Sequence, residues 1–196
     1  MPRTFVAVLL SDQVRRALSA EVDKLRPFSR VVAWVPPHNL HVTLRFLGDQ
    51  TEEQLAGIKP VLEEGVQGIG PFTMGLRGLG AFPGLEHPRT IWVGISEGSA
   101  EVRKLQGRVA QALESHGFPL ETRAWQAHVT IGRVMDERRS RREGMAEIRS
   151  SLARGATVSF GTIPVDAISL MRSDLYPSGA RYTSIASFPL VSHYEL

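Results

Sequence analysis

The sequence predicts an α+β fold of two similar lobes related by a pseudo-twofold duplication, each an antiparallel sheet with helices on its outer side, enclosing a central cleft. Three observations predict it. The 196 residues are 42% hydrophobic and 22% charged with no cysteine. That is a globular composition, in a chain long enough for one large domain or two packed lobes without a disulfide or metal staple. A strand, helix, strand pattern in the first half returns in the second. The landmarks of the two copies also share one period: Phe5 to Ile91 is 86 residues, Ser11 to Ser99 is 88 and His41 to His128 is 87, the mark of an internal repeat. The expected organisation is a single domain over 1–196 with repeats of about 1–86 and 87–196.

The elements follow in order. Phe5 to Leu10 is an apolar run that reads as a buried strand, and Ser11 with Asp12 caps a helix whose stripe is Val14, Leu18, Val22 and Leu25. Pro27 ends that helix. Val31 to Val35 reads as a strand, Pro36 and Pro37 as a break, and His41 to Leu47 as a strand closed by Gly48. Thr51 opens a helix with Glu53 and Gln54 in its first turn. Glycine-spaced β segments follow at Phe72 to Leu76 and Thr90 to Ile95, joined by a loop over 82–88. A helix from about Ser99 carries Val102, Leu105, Val109, Leu113 and His116 on one stripe and stops near Gly117. The strand His128 to Val134, an Arg-rich helix over about Arg138 to Arg154, and strands around Val165 to Arg172 and Tyr182 to Leu190 complete the chain.

Composition narrows the function. Without cysteine there is no thiol catalysis, disulfide or cysteine-ligated zinc, and the cytoplasm is the expected compartment. The apolar run at Phe5 to Leu10 is too short for a membrane span, so no membrane partner is expected, and no obligate protein partner is evident. Net charge is +3, yet 20 of the 23 basic residues are arginine. Guanidinium suits bidentate phosphate contacts, so the excess fits a polyanionic ligand, and a biased genome composition fits it equally.

Each half contains His-Val-Thr followed by an apolar residue: His41, Val42, Thr43, Leu44 and His128, Val129, Thr130, Ile131. Composition alone yields such a match roughly 0.05 times per chain of this kind, so a chance pair is on the order of one in a thousand. On a strand, His and Thr two apart share a face while the apolar residues face the core. A pseudo-twofold then sets two imidazoles across a cleft, each beside a hydroxyl. In-line displacement at phosphorus places attacking and leaving oxygens on opposite sides. One imidazole can take a proton while the other gives one, each step being worth about 10²- to 10⁴-fold near neutral pH. The Thr43 and Thr130 hydroxyls are placed to hold the non-bridging oxygens.

These residues resemble the two-histidine phosphoesterases, and within them the RNA 2′,3′-cyclic phosphodiesterases formerly described as 2′-5′ RNA ligases. The resemblance covers nearly the whole chain. It rests on Val35 to Gly48, on Gly78 to Pro83, on His128 to Val134 and on Tyr182 to Leu190. It implies opening of a terminal RNA 2′,3′-cyclic phosphate to a 2′-phosphate with no metal or other cofactor, with His41 as proton donor and His128 as proton acceptor. It also implies Arg133 as a phosphate-binding residue. RNA ends bearing the cyclic phosphate, or small cyclic nucleotides, are the expected ligands. The same motifs fit a 2′-5′ oligonucleotide phosphodiesterase or ligase, and a non-catalytic RNA-end-binding module. Ala127 stands where the family usually has Pro.

Two arginines compete for the phosphate. Strict alternation puts Arg133 on the face opposite His128 and Thr130, and a bulge or strand end at Gly132 would reconcile them. Arg45 is in phase with His41 and Thr43 and is the better candidate on periodicity alone, and a strand-edge salt bridge suits it equally. His38, three residues before His41, points away from it on an extended chain and is expected in a surface loop rather than in a metal site. His116 is expected to be a hydrogen-bonded, partly buried residue, His87 a loop residue and His193 part of the tail. The run Arg138 to Arg142 fits either an RNA contact or a solvated helix face. Trp34, Trp125 and Phe82 are either base-stacking platforms or buried aromatics.

Overall fold

The computed structural model describes residues 3–119, 121–122, 124–135, 144–177 and 179–192. The expected α+β architecture of two similar lobes is present. Strand β1 (Arg3–Leu9) leads into helix α1 (Asp12–Leu25), where Ser11 caps the first turn by accepting from the Val14 amide at 3.4 Å. Val14, Leu18, Val22 and Leu25 form the buried stripe. A 3₁₀ turn over Arg26–Phe28, with Pro27 at its centre, follows the helix directly. Strands β2 (Val32–Trp34) and β3 (His41–Asp49) flank a second 3₁₀ turn at Pro37–Asn39. Helix α2 (Glu52–Val66) begins with a reciprocal capping box: Thr51 Oγ1 accepts from the Gln54 amide at 3.2 Å and Gln54 Oε1 from the Thr51 amide at 2.8 Å.

Strands β4 (Phe72–Phe82) and β5 (Thr90–Ile95), helix α3 (Ser99–Ser115) and strand β6 (His128–Val134) follow. Helix α4 (Met145–Arg154) and strands β7 (Ser159–Val165), β8 (Ala167–Tyr176) and β9 (Gly179–Pro189) end the fold. The Arg138 to Arg142 part of the Arg-rich segment, like His193, lies outside the described residues.

Among the described residues the strands form one antiparallel sheet in the order β7-β4-β5-β6-β3-β1-β8-β9, with β2 pairing to β6. Read from the middle outward, the order is the same on both sides: the strand after the helix (β6 or β3), the strand before it (β5 or β1), then two more. The lobes therefore exchange strands across residue 86. Strand β4, from the first half of the sequence, pairs with β5, while β8 pairs with β1. The two halves of the sheet meet at a single paired position, Val42 opposite Val129.

One face of the sheet packs against the helices. Val6 and Val8 of β1, Val42 and Leu44 of β3, and Val129 and Ile131 of β6 join the helical stripes in one continuous core. Burying each such side chain contributes roughly 1.5–3 kcal/mol. Helices α2 and α3 approach closely at Gly65, where a Cβ would sit 3.3 Å from the Val109 Cα. The opposite, concave face carries Phe5 and Ala7 beside Met171 in a separate small cluster.

Two strands exceed or escape the sequence reading. Strand β4 runs 11 residues, to Phe82, rather than stopping at Leu76. Its glycines weaken the strand signal but are required by close packing: a Cβ on Gly80 would lie 2.3 Å from the Trp92 ring. Strand β7 escapes it because it contains Gly161 and Pro164, residues that read as loop.

Candidate active site

The His-Val-Thr segments lie on the two central strands, at the point where the lobes meet. Val42 and Val129 are fully buried in the core, so alternation turns His41, Thr43, His128 and Thr130 to the concave face. Continuing the Val42–Val129 register sets His41 beside Thr130 and Thr43 beside His128. All four line a cleft of about 490 Å³ together with Arg133.

Arg133 reaches the cleft through a bulge. Ile91 pairs with Gly132 but the next residue, Trp92, pairs with Thr130, so Ile131 is the extra residue. Ile131 and Gly132 are both buried, and Arg133 emerges on the side of His128 and Thr130. Gly132 is required here, because a Cβ would lie 2.7 Å from the Trp34 ring. Strand β3 has the matching bulge: Val6 pairs with Arg45 and Ala7 with Thr43, leaving out Leu44. The same shift removes Arg45 from the cleft, so of the two readings open to it the salt bridge holds and the phosphate contact does not. Arg45 is 4% exposed. Its guanidinium donates to the Pro119 carbonyl and lies 3.4 Å from Glu114 and 3.5 Å from Glu121.

Both imidazoles are held in the same way. His41 Nδ1–H donates to the Asn39 carbonyl at 2.7 Å, and His128 Nδ1–H donates to the Gln126 carbonyl at 2.7 Å. A carbonyl can only accept, so Nδ1 carries the proton and Nε2 is the nitrogen left for chemistry. In His41, Nε2 is 2.9 Å from Thr43 Oγ1. Aromatic rings fix the imidazole planes. Phe5 stacks on His41 at 4.7 Å and Tyr182 meets it edge-on at 5.3 Å, while Phe82 meets His128 edge-on at 5.0 Å. Phe5 was hidden in the sequence because β1 is covered on both faces and reads as one continuous apolar run.

Burial pushes the pKa of both histidines below the usual imidazole value, partly opposed by the carbonyl bond to each Nδ1–H. The positive charge of Arg133 lowers both further, and His128 also lowers His41. Both rings thus favour the neutral form more than a free imidazole does. Two Nε2 atoms, two hydroxyls and a guanidinium around one cleft can hold a tetrahedral oxyanion between a proton donor and a proton acceptor.

The other candidates fall elsewhere. His38 is exposed on the 3₁₀ turn, and His87 is exposed in the loop after β4. His116 caps α3, with Nδ1 bonded to the Ala112 carbonyl at 2.9 Å and Nε2 3.9 Å from Glu64. Trp34 covers Gly132, and Trp125 donates to the Thr43 carbonyl at 3.1 Å. Of the three aromatics weighed as base platforms, Phe82 alone lines the cleft. Among the described residues no three imidazole or carboxylate groups converge as a metal site requires. Among the same residues no helix is long and apolar enough to cross a membrane.

The family model of the 2′-5′ RNA ligase superfamily matches residues 7–177. The chain belongs to this superfamily. Within it, the chain is 35% identical to the RNA 2′,3′-cyclic phosphodiesterase of Methanothermobacter thermautotrophicus, over 96% of this chain and 98% of that protein. It is 35% identical to the protein of the same name from Archaeoglobus fulgidus, over 95% of this chain and 99% of the other. A solved structure from Thermus thermophilus superposes on this superfamily member with a TM-score of 0.78 at 31% identity, covering 97% of this chain and 99% of that one. Escherichia coli LigT, solved with 3′-AMP, shares the fold at a TM-score of 0.75 and 21% identity, covering 98% and 100%.

Proposed function

We propose that this protein hydrolyses the 2′,3′-cyclic phosphate at RNA ends, or in small cyclic nucleotides, to a 2′-phosphomonoester. The carrying observation is the pair of imidazoles whose Nδ1–H groups are both tied to backbone carbonyls, leaving two Nε2 atoms for one cleft. The sequence kinship to proteins named RNA 2′,3′-cyclic phosphodiesterase supports the substrate class.

In this reading His128 Nε2 takes a proton from water as its oxygen attacks phosphorus. The P–O3′ bond breaks opposite the new bond, and His41 Nε2–H delivers its proton to O3′. One water is consumed, and the products are a 2′-phosphate and a 3′-hydroxyl. Afterwards His128 holds the proton and His41 is neutral, and exchange with solvent resets them. Thr43, Thr130 and Arg133 hold the non-bridging oxygens. The assignment of donor and acceptor is supported by their settings: His41 is packed between Phe5 and Tyr182, suited to a leaving oxygen on an ordered nucleoside, while His128 is the less enclosed ring. No step uses a metal or cofactor.

The test is to give the protein an RNA with a 2′,3′-cyclic end in the presence of EDTA and identify the terminal phosphate. A 2′-phosphate is expected. A 3′-phosphate, or activity that EDTA abolishes and a divalent metal restores, overturns the mechanism. Tight binding of the cyclic end without turnover makes the protein an RNA-end-binding module instead.

A further inference from the structure

We infer that Trp125 is a positioning residue for His128: its indole, bonded to the backbone of β3, holds the Gln126 carbonyl where it fixes the imidazole with the proton on Nδ1. The positioning stands on geometry, and its consequence for turnover rests on the proposed phosphodiesterase reading.

The inference starts from an asymmetry in how the two Nδ1 acceptors are held. Asn39 and Gln126 each stand two residues before their histidine and accept from it at 2.7 Å. Asn39 anchors itself. It ends the 3₁₀ turn, its amide donates to the Pro36 carbonyl at 2.9 Å, and its buried side chain donates through Nδ2 to the Ala180 carbonyl of β9 at 2.6 Å. Gln126 is placed differently. Its side chain is exposed, residues 124–127 belong to no helix or strand, and the ladder of β6 to β5 reaches only as far as His128, opposite Gly94.

The neighbouring residue supplies the anchor. Trp125 Nε1–H donates to the Thr43 carbonyl at 3.1 Å, and its half-buried ring packs against the main core. The equivalent residue of the first lobe, His38, is exposed. The lobes therefore differ in which residue before the histidine turns inward, Asn39 in one and Trp125 in the other.

What the indole holds matters as much. Strands β3 and β6 share a single paired position, Val42 opposite Val129, so a ladder does little to set one histidine against the other. The Trp125 bond is a second tie, and it ends on Thr43, whose hydroxyl lies 2.9 Å from His41 Nε2. Among the described residues His41 has Phe5 and Tyr182 against its ring while His128 has Phe82, so the His128 ring depends more on its Nδ1 bond. Only the Nδ1–H form leaves a lone pair on Nε2 to take a proton, and an imidazole in the other tautomer cannot serve as the base.

The experiment reads the tautomers directly. Wild type, Trp125→Phe and Arg45→Met are labelled with 15N-histidine, and two-bond 1H–15N spectra are recorded at about pH 8, where both rings are neutral; spectra of His41→Ala and His128→Ala assign the peaks. Steady-state kinetics on 2′,3′-cyclic AMP accompany them. Both histidines should be in the Nδ1–H form in wild type. Trp125→Phe keeps an aromatic ring and removes the donor: His128 should gain the Nε2–H form while His41 stays as it was, and kcat should fall about ten-fold with KM within about two-fold. Arg45→Met, which frees the same segment at the Pro119 carbonyl, should leave both tautomers in place. An unchanged His128 tautomer in Trp125→Phe, loss of the Nδ1–H form at both histidines, or the same change in Arg45→Met overturns the assignment. Absence of turnover by wild type overturns the phosphodiesterase reading, and the tautomer spectra still decide the positioning role.

Discussion

The two lobes have the same backbone and different surfaces. Both place a histidine at the start of the central strand, tie its Nδ1–H to a carbonyl two residues earlier, and bulge three residues further on. The bulge then presents different side chains. The first lobe buries Arg45 and exposes Phe46, and the second buries Gly132 and exposes Arg133. Symmetry of the main chain fixes where groups stand, and the substitutions at equivalent positions give the cleft its direction. If the two imidazoles act as one unit, His41→Ala and His128→Ala should each lower kcat/KM by about 10²- to 10⁴-fold, the largest effects expected. The double variant should be little worse than the poorer single one, because residues that act together are non-additive. Full activity in either single variant, with circular dichroism showing a native fold, breaks the comparison.

Arg133 is the next largest effect and tests the charged end. Replacing it with Met would remove the charge-assisted phosphate contact proposed for it and should reduce kcat/KM by about 10- to 100-fold. It should also move the pH profile. Both histidines have folded-state pKa values below the usual 6.5, through burial first and then the charge of Arg133. A mechanism needing one protonated and one neutral ring peaks between the two macroscopic values. The bell for kcat/KM should therefore centre on the acid side of 6.5, and Arg133→Met should shift it upward. Stability carries the same sign: the unfolded chain binds these protons more readily, so the contribution is complete above about 6.5 and declines as pH falls through the folded-state values. Melting temperature against pH checks this, and the slope should flatten when both histidines are replaced by Asn.

Much of this site was legible because it depends on period two. The His-Val-Thr repeats, their shared face and the offset between them follow from alternation and duplication alone. The bulges were only half legible. Gly132 hinted at one, which reconciled Arg133 with the cleft, but nothing in Leu44 and Arg45 marks the other. Periodicity therefore aimed Arg45 at the phosphate when it is buried among Glu114, Glu121 and the Pro119 carbonyl. Long-range partners of this kind leave no local trace. The exchange of β4 and β8 between lobes is invisible for the same reason, since pairing across tens of residues is set by the assembled sheet and not by the segments.

Arg45 and Gly132 occupy equivalent sites and should fail differently. Arg45→Met leaves partly exposed carboxylates that water can rehydrate, so a loss of about 1–3 kcal/mol is expected in denaturant midpoints. Its pH optimum should stay at the wild-type value, unlike that of Arg133→Met. Gly132→Ala should cost about 1–3 kcal/mol by overpacking, because the new Cβ meets the Trp34 ring at 2.7 Å and Val32 Cγ1 at 2.9 Å. A neutral Gly132→Ala would mean that the Trp34 ring yields, and that the second bulge is less tightly specified than its ring contact implies.

The smallest expected difference between the lobes lies at the starts of their equivalent helices. Ser11 caps α1 through its hydroxyl, at a long 3.4 Å from the Val14 amide, so Ser11→Ala should cost only about 0.5 kcal/mol, the low end for such caps. The matching position before α3 is Gly98, where general preference would make Ser an improvement. Here it should be the reverse. Gly98 has φ +69°, and a Cβ would sit 2.2 Å from the Thr73 carbonyl oxygen, a backbone atom that cannot swing aside. Gly98→Ser should therefore destabilise by more than Ser11→Ala, although it adds a favoured capping residue. Equal or greater stability of Gly98→Ser in chemical denaturation would show that the β4 backbone relaxes away from α3, and that the second lobe is the looser of the two.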